Sequence, residues 1–236
     1  MSIQAMREWV KTHKILIGVI LGLLVLSLLL TYSIGSLTKY GNLSGGVNQE
    51  DYSGYEQALE TQRAAVEANP NDYEANYNLA TTLYEYASRL GSSTEADNQS
   101  KSLELLKEAA PHFITAVENA SADLNDLAKA QMYTKAARAY ASVDENEKAE
   151  QYYTAAIELA STDFDTVAAY AQYNVYTGNY DKALEIMNTF VDNSEDENAI
   201  TSAKSFISQI EALQSSADST TQGSESQEQT TTEDAQ

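Results

Sequence analysis

Few side chains in this sequence are equipped for chemistry. The chain has two histidines and no cysteine, which excludes thiol nucleophiles, thiolate zinc sites, disulfides and a lipobox cysteine. His13 lies beside Lys14 in a basic flank. His112 then stands alone, with no second His or Cys to complete a metal site, and reads as a helix-surface or packing residue. The acidic run Asp192-Asn-Ser-Glu-Asp-Glu-Asn198 offers oxygen ligands at alternate positions, as a calcium loop does. It fails as one, because Glu197 stands where the turn glycine belongs and Ala203 where the bidentate glutamate belongs. It reads instead as a solvated loop that caps a helix, and Asp144-Glu-Asn-Glu147 reads as the turn between two paired helices. The sequons at Asn42, Asn98 and Asn119 are what chance supplies in a chain rich in Asn and Ser. There is no glycine-rich phosphate loop, no Gly-x-Ser-x-Gly elbow and no histidine base for a serine nucleophile. No metal and no cofactor is expected, and the sequence reads as non-enzymatic.

The 236 residues carry 14 Lys+Arg against 35 Asp+Glu, a formal net charge of -21. Such a surface repels phosphate backbones, so nucleic acid is not an expected partner. The charge is also unevenly placed. Residues 1–14 hold three basic groups and one acidic, leaving 11 basic against 34 acidic, a net of -23, in the rest of the chain. Between the two parts runs ILIGVILGLLVLSLLL from Ile15 to Leu30, and no charge occurs from Lys14 to Lys39. About 20 residues rising ~1.5 Å each cross a ~30 Å hydrocarbon core, so residues 15–34 are predicted to span a membrane. A cleaved signal peptide is the alternative, but its apolar region is usually only about 7 to 15 residues long. Arg7, Lys11 and Lys14 precede the span and only Lys39 follows it closely, which predicts a cytoplasmic segment at 1–14 and an extracytoplasmic remainder. Residues 35–50, rich in Gly and Ser, read as a flexible linker.

From residue 51 onward the composition favours Ala, Glu, Leu, Gln and Tyr, with apolar residues three or four apart, so the expected fold class is all-α. Small residues then recur at fixed intervals. Ala137 and Ala171 are 34 apart, as are Ala149 and Ala183, and the internal step of each pair is 12. The steps from Ala58 to Ala80 and from Ala149 to Ala171 are both 22. One unit reads Tyr133, Ala136, Ala137, Tyr140, then Ala149, Tyr153, Ala156; the next reads Val167, Tyr170, Ala171, then Ala183, Met187, Phe190. Upstream, Ala58 and Asn69-Pro70 lead into Leu79, Ala80, Leu83 and Tyr84. This period and these residue types resemble the tetratricopeptide repeat (TPR), a helix-turn-helix unit stacked into a solenoid. The resemblance assigns repeat packing to Ala58, Leu79, Ala80, Ala109, Ala137, Tyr140, Ala149, Tyr153, Ala156, Ala171 and Ala183. It spans 51–214, with an insertion near 88–105 and a capping helix near 198–214 where Ile200, Ala203, Phe206, Ile207, Ile210 and Leu213 share a face. Pro111 falls inside an expected second helix, where it is predicted to kink or split the helix at a cost of about 3 kcal/mol. Residues 215–236, all Ser, Thr, Gln, Glu, Asp, Ala and Gly, read as a disordered acidic tail.

In the TPR family the first helices line a groove that binds other proteins. The matching positions here are Glu74, Tyr77, Thr81, Tyr84 and Glu85, then Gln131, Thr134, Arg138 and Ser142, then Asp165, Gln172, Val175 and Tyr176. Of these, Tyr77, Thr81, Tyr84, Thr134, Arg138, Gln172 and Tyr176 are the candidate partner-binding residues, since Tyr and Arg dominate binding hot spots. Arg138 is the only basic residue in the set, so the Lys, Asn and Arg clamp of the chaperone-binding subfamily is absent. The resemblance implies a membrane-anchored extracytoplasmic scaffold binding another protein or an extended peptide segment, neutral or basic in charge, in export or membrane-complex assembly. Its topology is similar to that of the bacterial translocon-associated TPR subunit. One alternative is an organellar import receptor whose TPR domain faces the cytosol. Another is an extracellular hydrolase using two of the carboxylates Glu74, Glu85 and Asp165. Alkaline phosphatase fused after Gln236 is expected to be active, because that enzyme works only on the export side; an inactive fusion, expressed at normal level, would contradict the orientation.

Overall fold

The computed structural model describes residues 52–229, with side chains through Ala217. Eight α-helices and no strand occur among them: α1 Ser53–Ala68, α2 Tyr73–Gly91, α3 Ala96–Glu118, α4 Asp126–Ser142, α5 Asn146–Leu159, α6 Phe164–Tyr176, α7 Tyr180–Asn193 and α8 Glu197–Gln229. No helix among the described residues is long and apolar enough to cross a membrane. The expected span at 15–34, its basic flank and the linker lie outside the described residues, as does 230–236.

Successive helices pack as the hairpins α2/α3, α4/α5 and α6/α7, with α1 before them and α8 after. Local chemistry punctuates this order in a repeating way. Each first helix starts on an Asp or Asn whose carboxylate or amide oxygen accepts an otherwise orphaned N–H. Asp72 accepts from Ala75 at 2.7 Å, Asn125 from Ala128 at 2.8 Å, and Asp163 from Thr166 at 3.0 Å. Second helices α5 and α7 lack such caps. They are entered instead through a left-handed residue, Asp144 at φ 60° and Gly178 at φ 81°, 34 positions apart. Around each, two backbone N–H groups turn back to the carbonyls that end the preceding helix: Asp144 to Ala141 and Glu145 to Tyr140, Gly178 to Val175 and Asn179 to Asn174. Asp196 caps α8 by accepting from Asn198 and Ala199, as the acidic loop was expected to do.

Helix contacts run through the small residues. Ala80, Ala109, Ala137, Ala149, Ala156, Ala171 and Ala183 are all 0% exposed, and Leu79, Tyr140 and Tyr153 are buried with them. Ala58 departs from the expectation, being only half-buried; α1 has α2 on one side and no helix before it among the described residues, so Leu59 is its buried contact. The core continues through the stack because α6 faces both ways. Ala169, Tyr170 and Tyr173 join the apolar cluster of the earlier helices, while Val167 and Ala171 join Met187, Phe190, Ala203 and Ile210.

Three segments differ from the sequence expectations. The insertion near 88–105 lengthens the α2/α3 hairpin, leaving only residues 92–95 as the turn. Gly91 gives room to the facing helix: a Cβ there would lie 3.1 Å from the hydroxyl of Ser102, which is buried and donates to the Ala87 carbonyl at 2.7 Å. Pro111 does not split α3. It sits on the exposed face, where water can serve the carbonyl it leaves unpaired, while Ala109, Ala110, Phe113, Ile114, Ala116 and Val117 are buried. Finally, α8 continues to Gln229, through the segment expected to be disordered from residue 215. Its packing ends earlier, with Ile210 buried and the Gln214 amide donating to Asp181 at 2.7 Å. Beyond that point no proline stops the helix, and Gly223 is the only glycine.

The two left-handed turns give opposite expectations for substitution. Gly178→Ala places a Cβ in a left-handed conformation and is expected to lower unfolding free energy by about 1 kcal/mol, whereas Asp144→Gly relieves the same strain and is expected to raise it by about 0.5 kcal/mol. Urea denaturation of both variants checks the pair of signs.

Candidate functional site

All the positions expected to meet a partner lie on the first helices, α2, α4 and α6. They do not form a uniform row. On α2, Tyr77 is half-buried and stacked on Tyr73 at 5.9 Å, Thr81 is half-buried, and Glu74 and Glu85 are exposed. On α4, Gln131, Arg138 and Ser142 are exposed, but Thr134 is buried at 7% exposure, contrary to its expected place on an open groove. On α6, Gln172 and Val175 are half-buried, Asp165 is exposed, and Tyr176 projects with 67% of its surface open.

Two of these residues, Tyr84 and Arg138, come together with three that the sequence reading did not assign to a site. Tyr84 meets Phe113 of α3 edge-on at 6.0 Å. Lys135 of α4 holds its ammonium 5.6 Å from the centre of the same Phe113 ring, a cation–π contact. The phenols of Tyr84 and of Tyr153 on α5 are the groups that act on the charge of Arg138. Tyr153 is itself buried, stacked on Tyr170 at 5.4 Å and tilted against Tyr173 at 5.1 Å. Arg138 is exposed by surface area.

Electrostatics follow from this crowding. Burial works against the charge of Arg138, and the two phenols outweigh it, holding the pKa above the ordinary arginine value. Burial pulls Lys135 below the ordinary lysine range; Glu85 opposes that and Arg138 adds to it. Tyr153 is driven well above the usual phenol value by burial, against the pull of Arg138. The ion pairs among the described residues are Arg63–Glu108, Lys101–Glu56, Lys129–Asp126, Lys148–Glu145 and Lys182–Glu150, and Arg138 belongs to none of them. Lys135 was legible in principle, since three residues from Arg138 on a helix places the two on one side. Tyr153 was masked by its packing role.

His112 has a definite structural place. Its Nδ1 donates to the Asn76 side-chain oxygen at 2.8 Å, while the Asn76 amide donates to the carbonyls of Pro70 and Asp72, both at 2.8 Å. The residue thus ties α3 to the turn that starts α2. Among the described residues no group of three or more His, Cys, Asp or Glu is placed to hold a metal ion. Comparison with protein-family models and with curated proteins found no match.

Burial lowers the His112 pKa below its ordinary value of 6.5. The unfolded chain therefore takes up a proton near pH 6.5 while the folded chain resists until lower pH, so stability falls as pH drops below about 6.5. His112→Gln is expected to flatten that part of the stability profile, as thermal unfolding of both chains from pH 7.5 to 5.5 would show; an unchanged slope would contradict the assignment.

Proposed function

We propose that this chain is a signal-anchored TPR-like scaffold whose helical stack stands outside the cytoplasmic membrane and binds another protein. Support for the repeat comes from the 34-residue recurrence of zero-exposure alanines and of the left-handed turns at Asp144 and Gly178. The anchor rests on the apolar run at 15–34 and the basic residues before it. The single observation that carries the binding role is Arg138. An exposed cation on which the Tyr84 and Tyr153 phenols act, in a chain of net charge -21, has no carboxylate partner of its own among the described residues. Aromatic residues beside an arginine form the kind of cluster that concentrates binding energy. The net negative charge of the chain favours a partner that is neutral or basic overall.

Crosslinking in native membranes tests this. The full chain is expected to capture a specific partner, and the combined variant Arg138→Glu, Tyr77→Ala, Tyr84→Ala, Tyr176→Ala is expected to lose it while keeping its helical circular dichroism. Retention of every partner by that folded variant would contradict the role of these helices.

A further inference from the structure

Of the helices α1 to α7, the first has the smallest hold on the core. Leu59 is its one buried residue, whereas α2 to α7 each bury three or more. Tyr55, Ala58, Gln62 and Val66 continue the same stripe at spacings of three and four, but all are only half-buried. The side-chain oxygen of Gln62 is buried there without a hydrogen-bond partner. Such an orphan costs about 1 to 3 kcal/mol and weighs against the docked helix, because water would serve that oxygen if α1 lifted away. The helix also has little strength of its own. It has no side-chain cap at its start, carries Gly54 in its first turn and stops just before Pro70. Its 16 residues are close to the lower limit for an isolated helix in water.

Polar links make up the difference. Arg63 donates two parallel bonds to the Glu108 carboxylate of α3, both at 2.7 Å. Glu56 accepts from the Tyr86 hydroxyl at 2.8 Å and pairs with Lys101. Arg89 donates to the Tyr55 hydroxyl at 2.7 Å, and the Tyr55 ring is stacked on Tyr86 at 4.9 Å. The charged side chains of both ion pairs are largely open to water, so salt screens them. The turn after α1 belongs to the other side of this contact. Asn76 donates to the carbonyls of Pro70 and Asp72, and His112 donates to Asn76, so the chain from residue 70 onward is tied to α2 and α3 with or without α1. Residues 1–51 join the stack through α1, so a pull on that part of the chain reaches this helix first.

We propose that α1 is a salt-sensitive latch, which releases from the first hairpin as one unit at the boundary between Ala68 and Pro70 and uncovers the Tyr86 face of α2 while α2 to α7 stay folded. A local opening of this kind is governed by the segment's own buried contacts and exposed bonds rather than by the stability of the whole chain.

Hydrogen exchange of the detergent-solubilised full chain, followed by mass spectrometry on overlapping peptides, tests this. Amides of residues 57–68 are expected to exchange about tenfold or more faster than the protected amides of α2, α4 and α6, with both halves of α1 alike. Raising sodium chloride from about 0.1 M to about 1 M is expected to speed α1 about two- to fivefold and leave α4 to α7 unchanged, and Glu108→Gln is expected to do the same. Gln62→Leu removes the orphaned oxygen and extends the apolar stripe, and is expected to slow α1 about fivefold or more. Protection of α1 equal to that of α2 to α7 overturns the proposal. So does fast exchange confined to the ends of α1, which is fraying, or a response to Glu108→Gln and Gln62→Leu that is absent or shared by every helix.

Discussion

Close approach of helices at alanine is the constraint on which this structure depends. Seven of the alanines with no exposed surface stand at repeat positions, and Ala137 and Ala171, like Ala149 and Ala183, recur 34 residues apart. A side chain one methyl group in size lets two helix backbones come near the lower end of the usual 8 to 10 Å separation. The tyrosines then fill gaps in stacked pairs, Tyr153–Tyr170 at 5.4 Å between successive hairpins and Tyr140–Tyr152 at 5.8 Å within one. Regular spacing of small residues thus fixes both the separation of the layers and the places where large rings must go.

A second element repeats on top of this packing. Glu56 of α1, Tyr86 of α2 and Lys101 of α3 meet in one cluster, and Glu150 of α5, Tyr170 of α6 and Lys182 of α7 meet in the same way. In each, a lysine lies over the tyrosine ring, at 4.9 Å and 5.2 Å, and the carboxylate comes from the preceding unit. Exposed ion pairs of this kind stabilise little individually, but each one ties three successive helices and so fixes their relative rotation. Lys101 and Lys182 are thereby committed to structure. Arg138 differs because its neighbours are phenols, which orient a guanidinium without neutralising it, and that difference gives the site its character.

Much of this was legible in the sequence. The 34-residue recurrence located the packing alanines, and Asp144 and Gly178 mark the same turn by two routes, one with a residue that tolerates left-handed backbone and one with no Cβ at all. What was not legible depended on partners distant in sequence. Gly91 and Ser102 fell within the expected insertion near 88–105 with no role, because only the facing helix shows that one makes room for the other. Pro111 read as a breaker because exposure of its face is a tertiary property. Thr134 had a groove position by analogy of register, and only the packing of α4 shows that it is buried. Tyr153 carries two roles at once, its ring in the core and its phenol acting on the charge of Arg138, and one position in a pattern reports only the first.

The central claim is that a partner engages the side carrying Arg138, on the first helices, and not the outer side formed by the second helices. Site-specific photocrosslinking in native membranes measures this directly, with a benzoyl-phenylalanine probe placed singly at exposed Gln131, half-buried Gln172, exposed Glu158 and exposed Thr189. The account predicts a discrete partner adduct from Gln131 and Gln172 and none from Glu158 or Thr189; adducts from the second-helix positions, with none from the first, would contradict it.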